Sequence, residues 1–514
     1  MPRMQAPESG ITVRMYRQGH GDCFLLATRK TDGSAFYMLI DCGLWTNSEI
    51  KPEQTIDKVI ADIAKATGNR LDVVLVTHEH MDHVNGFAKK DPETGKPCFD
   101  AIEIGELWLA WTEDGEDDLA NAVRAHFHDT LLALMGADER LDRAGLAAQS
   151  PQRAMLRDLL SFETGEDAAD ELRKRLEKIR KRHPALSARE QAELAIEGIT
   201  NKRAIKYLRD RIEGEPLFLR PDREPYMLKG VDGVRVYALG PPRDVELLLS
   251  LEPRGEEAFE LLTDSLTLSL LTATMVGEPE DAPRSFDPRF GMSRRDVEKG
   301  HDPFMKTFFT SRYGAKGKRG FAQAWRQIDN EWLAGSESLA LRLNNEVNNT
   351  SLVIAIELPL TGKVLLFTGD AQRGNWISWA PLNWTVGGRT VTARELLGRT
   401  VFYKAGHHGS HNATLDGSVD ADYPNISWLA QGAFKNDFVA VIPANAGWAK
   451  QEKNWEHPRR SIETRLKQKA RGRVFRSDVD HVERPEDVSA AEWEKFSRVE
   501  RDLFFEYTIP DALA

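Results

Sequence analysis

The sequence predicts an α/β (α+β) protein, a two-sheet αββα sandwich interrupted by large helical insertions. Three observations lead there. The chain opens on a strand-strand-strand-helix-strand pattern. Strand signals return at 233–242 and again from about 340, and the stretches between are helical or variable in texture. In both strand-rich parts the apolar runs end in turns that carry His or Asp, as two packed sheets sharing one functional edge would produce.

Taken in order, ITVRMY and FLLATR are β-like, and AFYMLIDCG is an apolar run that ends at an acid and a glycine. Residues 55–66, TIDKVIADIAKA, carry apolar side chains at helical spacing. LDVVLVTH follows as a buried strand. From about 112 the segments DDLANAVRAHFHDTLLALMG, QRAMLRDLLSF and AADELRKRLEKIRKRH are charged and helical, and strand signals fade. GVRVYALGPP restores strand and turn. The Pro-, Gly- and charge-rich part at 277–300 predicts a long or mobile loop. Strands resume with TSLVIAIEL, GKVLLFTGD, TVFYKAGHHGS and DFVAVIPAN; RRSIETRLKQKA reads as a helix and RVFRSD as a last short strand. These shifts divide the chain into an N-terminal half-domain (1–111), a helical insertion (112–230), a return strand (231–242), a variable insertion (243–340), a C-terminal half-domain (341–485) and an extension (486–514).

Composition narrows the class. A hydrophobic share of 41% with 29% charged residues is that of a soluble globular chain, and no apolar run reaches the about 20 residues of a membrane span. The first residues show no apolar segment after a basic cluster, so no signal peptide is expected. Cys23, Cys42 and Cys98 form no CxxC pair, which argues against a disulfide framework and for a reducing, cytoplasmic setting. A net charge of -11 opposes a broad nucleic-acid-coating surface. Arg459, Arg460, Arg465, Lys467, Lys469, Arg471 and Arg473 form a local basic cluster, read either as a groove or as one solvated helix face.

The chemistry concentrates in His78-Glu79-His80-Met81-Asp82-His83, directly after VVLVT. Imidazole and carboxylate are the usual zinc ligands, and residues two apart in an extended segment point the same way. His78 and His80 can clasp one metal, while Asp82 and His83 face a second. Only 13 histidines occur in 514 residues, so three in six positions is a specific signal. Two metals need a shared anion, for which Asp370 is the candidate, delivered by a buried strand after Gly369. GHHGSH at 406–411 supplies a further ligand; either His407 or His408 fits, the other contacting a ligand or the substrate, and His411 falls outside.

These residues resemble the metallo-β-lactamase superfamily, and most closely the metallo-β-lactamase-like domain of the ComEC family of DNA-uptake proteins. GHGDCFLL with LIDCG, THEHMDHVNG, YALGPP, NNTSLV, LLFTGD, AGHHGS and NAGWAKQEKNWEHP carry the resemblance in order, over roughly half the chain. It implies the four-layer αββα sandwich, one or two metal ions, usually zinc or manganese, and hydrolysis. It also implies metal ligands at His78, His80, Asp82, His83, Asp370 and one of His407 and His408, with Asp41 supporting a ligand histidine and His457 in the His-Pro position. Two departures stand out. The family's membrane channel is absent, so DNA uptake is not implied. Where many members have a third histidine, before the strand that leads to Asp370, this chain has the turn EVNNTSLV with Asn348 and Asn349. An amide oxygen suits a harder ion, so the first site is expected to be weaker or to prefer manganese. His126, His128 and His183 in the insertion are the alternatives to it.

The expected reaction uses a metal-activated water, whose pKa falls to roughly 7. Asp82 would orient it, and Lys404, Asn349, Ser410 or His457 would stabilise substrate oxygens. A phosphodiesterase or nuclease, with a nucleotide or nucleic-acid substrate and no membrane, is the leading expectation. Its rivals are a lactone, lactam or thioester hydrolase, and a subunit of a multi-protein defence or toxin system that docks a partner through the helical insertion.

Overall fold

The computed structural model describes residues 3–143, 151–164, 168–186, 200–252 and 331–512, with isolated positions between. The chain divides into two compact units. The first comprises 1–126, 161–262 and 344–514; the second comprises 127–160 and 263–343.

The first unit holds two sheets. One has eight strands in the order β16-β17-β1-β2-β3-β4-β5-β6. They are β1 (Gly10–Tyr16), β2 (Cys23–Arg29), β3 (Ala35–Cys42), β4 (Arg70–Leu75), β5 (Glu103–Ala110), β6 (Leu217–Leu219), β16 (Arg498–Glu500) and β17 (Phe504–Pro510). The other has seven, in the order β15-β14-β13-β10-β9-β8-β7. They are β7 (Tyr226–Met227), β8 (Arg235–Gly240), β9 (Val353–Glu357), β10 (Val364–Phe367), β13 (Thr400–Lys404), β14 (Val439–Ile442) and β15 (Val474–Arg476). A small hairpin, β11 (Asn383–Val386) and β12 (Arg389–Thr392), stands apart.

Alternation along the strands creates the layers. In β2, Phe24 and Leu26 enter a central core shared with Leu365 and Phe367 of β10, while Cys23, Leu25 and Ala27 face outward into a second core. In β10, Val364 and Leu366 turn to a third core. The outer face of the first sheet is covered by the helix Ile56–Thr67 and by Ala204, Ile205 and Leu208 of the helix Thr200–Arg209. The outer face of the second is covered by the helices Arg373–Ser378, Ala393–Gly398 and Arg460–Lys469. The result is a helix-sheet-sheet-helix sandwich. Because strands of this kind are buried on both faces, they read in sequence as continuous apolar runs. Phe24 and Phe367 meet edge to face at 5.6 Å in the central core, and burying each contributes about 1.5–3 kcal/mol.

Three boundaries differ from the sequence expectation. The end of the "insertion" belongs to the sandwich: β6 pairs with β5, and the helix Thr200–Arg209 covers the sheet. The expected C-terminal extension folds back, with β17 antiparallel to β1 along its whole length. The expected turn EVNNTSLV is the end of a helix, Glu331–Asn349, so Asn348 and Asn349 are its last residues. The 277–300 segment and most of the variable insertion lie outside the described residues. The described part of the second unit is helical and carries a buried ion pair, Arg153 Nε to Asp138 Oδ1 at 2.7 Å. No helix among the described residues is long and apolar enough to cross a membrane.

Candidate metal centre

Four parallel strand pairs, β3 with β4, β4 with β5, β10 with β13 and β13 with β14, point their C-terminal ends the same way within each sheet. The end of β3 carries Asp41, and the turns after β4, β10 and β13 carry the loop 77–83, Asp370 and His407-His408, to one place. Close backbone packing makes the meeting possible. Gly43 N donates to Asp22 O and Asp22 N to Asp82 O, each at 3.0 Å. A Cβ on Gly43 would lie 2.3 Å from the carbonyl carbon of Asp82, so only glycine fits.

One set of donor atoms comprises Asp82, His83, Asp370 and His408. His83 Nε2 lies 3.2 Å from Asp370 Oδ2 and 3.8 Å from Asp82 Oδ1. His408 Nε2 lies 2.7 Å from Asp82 Oδ2 and 3.7 Å from Asp370 Oδ2. All four residues are buried, and His83 Nε2, Asp82 Oδ1 and Asp370 Oδ2 have no hydrogen-bond partner. Three buried atoms of this kind left without partners are costly unless a cation takes them, so these residues fit a divalent metal. Their outward atoms are pinned. His83 Nδ1 bonds Asp41 Oδ2 at 2.8 Å, and His408 Nδ1 bonds Pro443 O at 2.7 Å. Asp41 also accepts from Thr77 N and Thr77 Oγ1, which holds the start of the loop.

The first site, expected around His78 and His80, adjoins this second one, with the His78 and His83 rings 4.1 Å apart. His78 Nε2 is 3.0 Å from His80 Nδ1, and His80 Nδ1 is 2.8 Å from Asn348 Oδ1. Asn348 therefore stands where the third histidine was expected. Asn349 does not. Its amide is spent on Leu247 O, Leu248 O, Gln372 N and Asn375 N, so it holds backbone and has nothing left for a substrate.

The pair His407-His408 is resolved by its backbone. Both residues have positive φ, 42° and 52°, and Gly409 continues at 82°. This left-handed turn sends His408 to Asp82 and leaves His407 Nε2 3.4 Å from Asn348 Nδ2. His457 Nδ1 lies 3.4 Å from His20 Nε2, and their rings stack at 5.5 Å. Ser410 Oγ donates to Asn412 and is buried. Lys404 is 1% exposed, with Nζ on Asp22 Oδ2 at 2.5 Å, Asp370 Oδ1 at 3.3 Å and Gly369 O at 2.6 Å. Its three protons are engaged, so it braces two carboxylates and is neither a solvated strand-edge residue nor free to reach a substrate oxygen. His126 bonds Glu346, and among the described residues neither His126, His128 nor His183 joins a metal-capable cluster.

Charge balance follows from this packing. Burial pushes the Asp370 carboxyl up, but His83 and Lys404 outweigh it and hold it well below the usual carboxylate range. Burial lowers His83, yet Asp370, Asp82, Asp22 and Asp41 together raise it well above an ordinary imidazole. Burial and its histidine neighbours hold His78 well below the ordinary value. His20 and His457 are likewise held low, by burial first.

Three contributors escape sequence reasoning. Asp22 joins His83, Asp370 and His408 in a cluster whose donor atoms lie within 4.8 Å of one another. It approaches both rings at their Nδ1 atoms, which already have partners, so it stands behind them and anchors Lys404. His20 packs on His408 at 4.1 Å. Both lie in GHGD, just ahead of β2, where a polar run before a buried strand was the available signal. Glu163, whose Oε1 is 3.0 Å from His80 Nε2, lies in a charged helix and gave no signal.

A search of curated proteins returns no match. A solved structure, "Crystal Structure of a Beta-lactamase domain protein from Burkholderia ambifaria", aligns with 21% identity over 23% of this chain and 36% of that one, at a TM-score of 0.13. The alignment thus spans about a third of that protein. Residues 16–118 match the family described as "Metallo-beta-lactamase superfamily", a span that contains Asp22, Asp41 and the whole loop from His78 to His83. Over that span the chain is similar to the metallo-β-lactamase superfamily.

Proposed function

We propose that this protein is a metal-dependent phosphodiesterase acting on a nucleotide or nucleic acid in the cytoplasm. The observation that carries it is the pair of adjoining donor sets, His78-His80-Asn348 and Asp82-His83-Asp370-His408, on one buried floor. Divalent ions held there would supply an acidified water and offset charge on phosphoryl oxygens. Zinc suits the second set; manganese suits the first, which has an amide oxygen among its donors.

The protein's own groups set the rest. Asp82 and Asp370 are fixed by His408, His83 and Lys404, so the carboxylate oxygens that would hold an ion are set without rearrangement. His20, His407 and His457 form a cluster of imidazoles beside the donors, able to donate N–H to phosphoryl oxygens. Next to it Trp45 and Trp448 pack in a buried aromatic cluster, with the half-buried Trp455 at its edge. The Trp455 ring, 5.3 Å from the His457 ring, suits a planar base joined to a phosphodiester, which supports a nucleotide over a simple ester. Three free cysteines agree with a reducing compartment.

The test uses purified protein with zinc or manganese, bis-p-nitrophenyl phosphate, linear DNA and RNA, beside an Asp82→Ala, His83→Ala double variant. Diester cleavage lost in the variant is expected. Metal-loaded protein that cleaves lactones or thioesters and no diester would overturn the proposal.

A further inference from the structure

We propose that Glu163, contributed by the helical insertion, is the positioning residue of the first metal site: its carboxylate accepts the Nε2 proton of His80 and fixes the tautomer whose Nδ1 faces His78 and Asn348. This rests on the metal-binding half of the proposed function and is independent of the substrate.

Glu163 sits in the last turn of the helix Pro151–Thr164 and is 8% exposed. Its Oε1 is 3.0 Å from His80 Nε2 and 3.3 Å from Asn344 Nδ2. Removing a carboxylate from water is costly unless a positive charge or a full set of donors answers it. Here the contacts are an imidazole and an amide, and the imidazole's other nitrogen belongs to the donor set. A cation on Nδ1 would give the ring the positive character that the carboxylate needs. His80 cannot offer Nδ1 as a lone pair unless its proton sits on Nε2, and Glu163 is the acceptor at Nε2.

The surrounding contacts keep Glu163 in place. Phe162, its neighbour, packs on the His80 ring at 4.3 Å and stacks on Trp45 at 4.1 Å. Asn201, at the start of the next sandwich helix, donates to both Phe162 O and Glu163 O. Lys202 pairs with Glu79, between the two metal-site histidines. The insertion and the sandwich helix that follows it therefore grip the metal loop at consecutive residues. A helix placed only to cap a substrate pocket would not need to reach beneath a ligand histidine.

The test is metal binding by the full-length protein, read by titration calorimetry, ions per chain, and the visible spectrum of the cobalt-substituted form. Wild type should bind two ions. Glu163→Ala should weaken one of them about 10- to 100-fold and leave the other unchanged, with altered cobalt bands. Glu163→Gln keeps the volume and an acceptor oxygen, so it should recover most of that affinity. Unchanged affinities and bands in Glu163→Ala would overturn the proposal, as would equal weakening of both ions with no rescue by glutamine, which marks a merely structural role. Wild type that binds no ion would fail the metal assignment itself and this proposal with it.

Discussion

The two donor sets are neighbours built by different means. The second set, Asp82, His83, Asp370 and His408, comes entirely from turns at the ends of sandwich strands, and it brings two carboxylates. The first, His78, His80 and Asn348, has no carboxylate, and its third member ends a helix instead of a strand. Unlike charges attract most where water is excluded, so a dication is held more strongly at the second set. The two sets should load in order, second before first. The fold supplies the second set directly; the first depends on helices that the sandwich itself does not require.

The largest effect breaks the comparison at its stronger side. Removing Asp82 and His83 together takes half of the second set. Cleavage should fall to the level of metal-free protein, while the helical content by circular dichroism stays. Activity surviving in that variant would mean that the first set alone sustains the chemistry.

Next in size is Lys404→Met. It leaves Asp22 and Asp370 buried without their cation, and breaking such a pair costs about 3–5 kcal/mol. The metal-free protein should melt much lower than wild type. Ions at the second set would restore part of the missing positive charge, so added metal should raise the variant's melting temperature more than wild type's. Equal gains in both proteins would show that Lys404 and the ions do not share the same carboxylates.

A smaller loss is expected from Gly43→Ala. Its added carbon would press on the Asp82 carbonyl and His83 N at 2.3–2.5 Å, backbone that has no flexible end to yield. Forcing it in should cost about 1–3 kcal/mol of stability and displace Asp82 and His83. Metal affinity at the second set should drop with it; a stable variant with unchanged affinity would show that the loop can move aside.

How much of this could be read in the sequence follows the same division. His78, His80, Asp82 and His83 share one loop, so their spacing alone exposes them. Asp370 and His408 were legible because each follows an apolar strand at a turn, although His407 and His408 could be told apart only by their left-handed backbone. Sequence reasoning weakened where a residue's role depends on distant partners. In sequence Lys404 reads as a group for substrate oxygens, because Asp22, 382 positions away, becomes its partner only after folding. Asn348 and Asn349 were equivalent on paper, and the helix end separates them: one faces His80, the other is consumed by Leu247, Leu248, Gln372 and Asn375. Glu163 was invisible because a carboxylate in a charged helix looks like every other one there. The fold was more legible than the site, since long apolar runs announce strands locally, whereas β17 and the helix Thr200–Arg209 joined the sandwich through contacts that local pattern does not record.

The smallest effect sharpens the comparison by making the sets more alike. Asn348→His would place an imidazole where an amide oxygen now meets His80 Nδ1 at 2.8 Å. Asn348 is fully buried beside Asn344 and His407, so the larger ring must use space now held by those side chains. If it fits, the first set becomes three nitrogens, a better match to zinc than to manganese. Zinc affinity there should rise about tenfold, equivalent to about 1.4 kcal/mol, with manganese unchanged or weaker. Asn348→Ala should move the same ion the other way and leave the second untouched. Calorimetry with each metal reads both variants. Should zinc and manganese respond alike to both substitutions, Asn348 is not a donor, and the difference between the two sets lies in their charge alone.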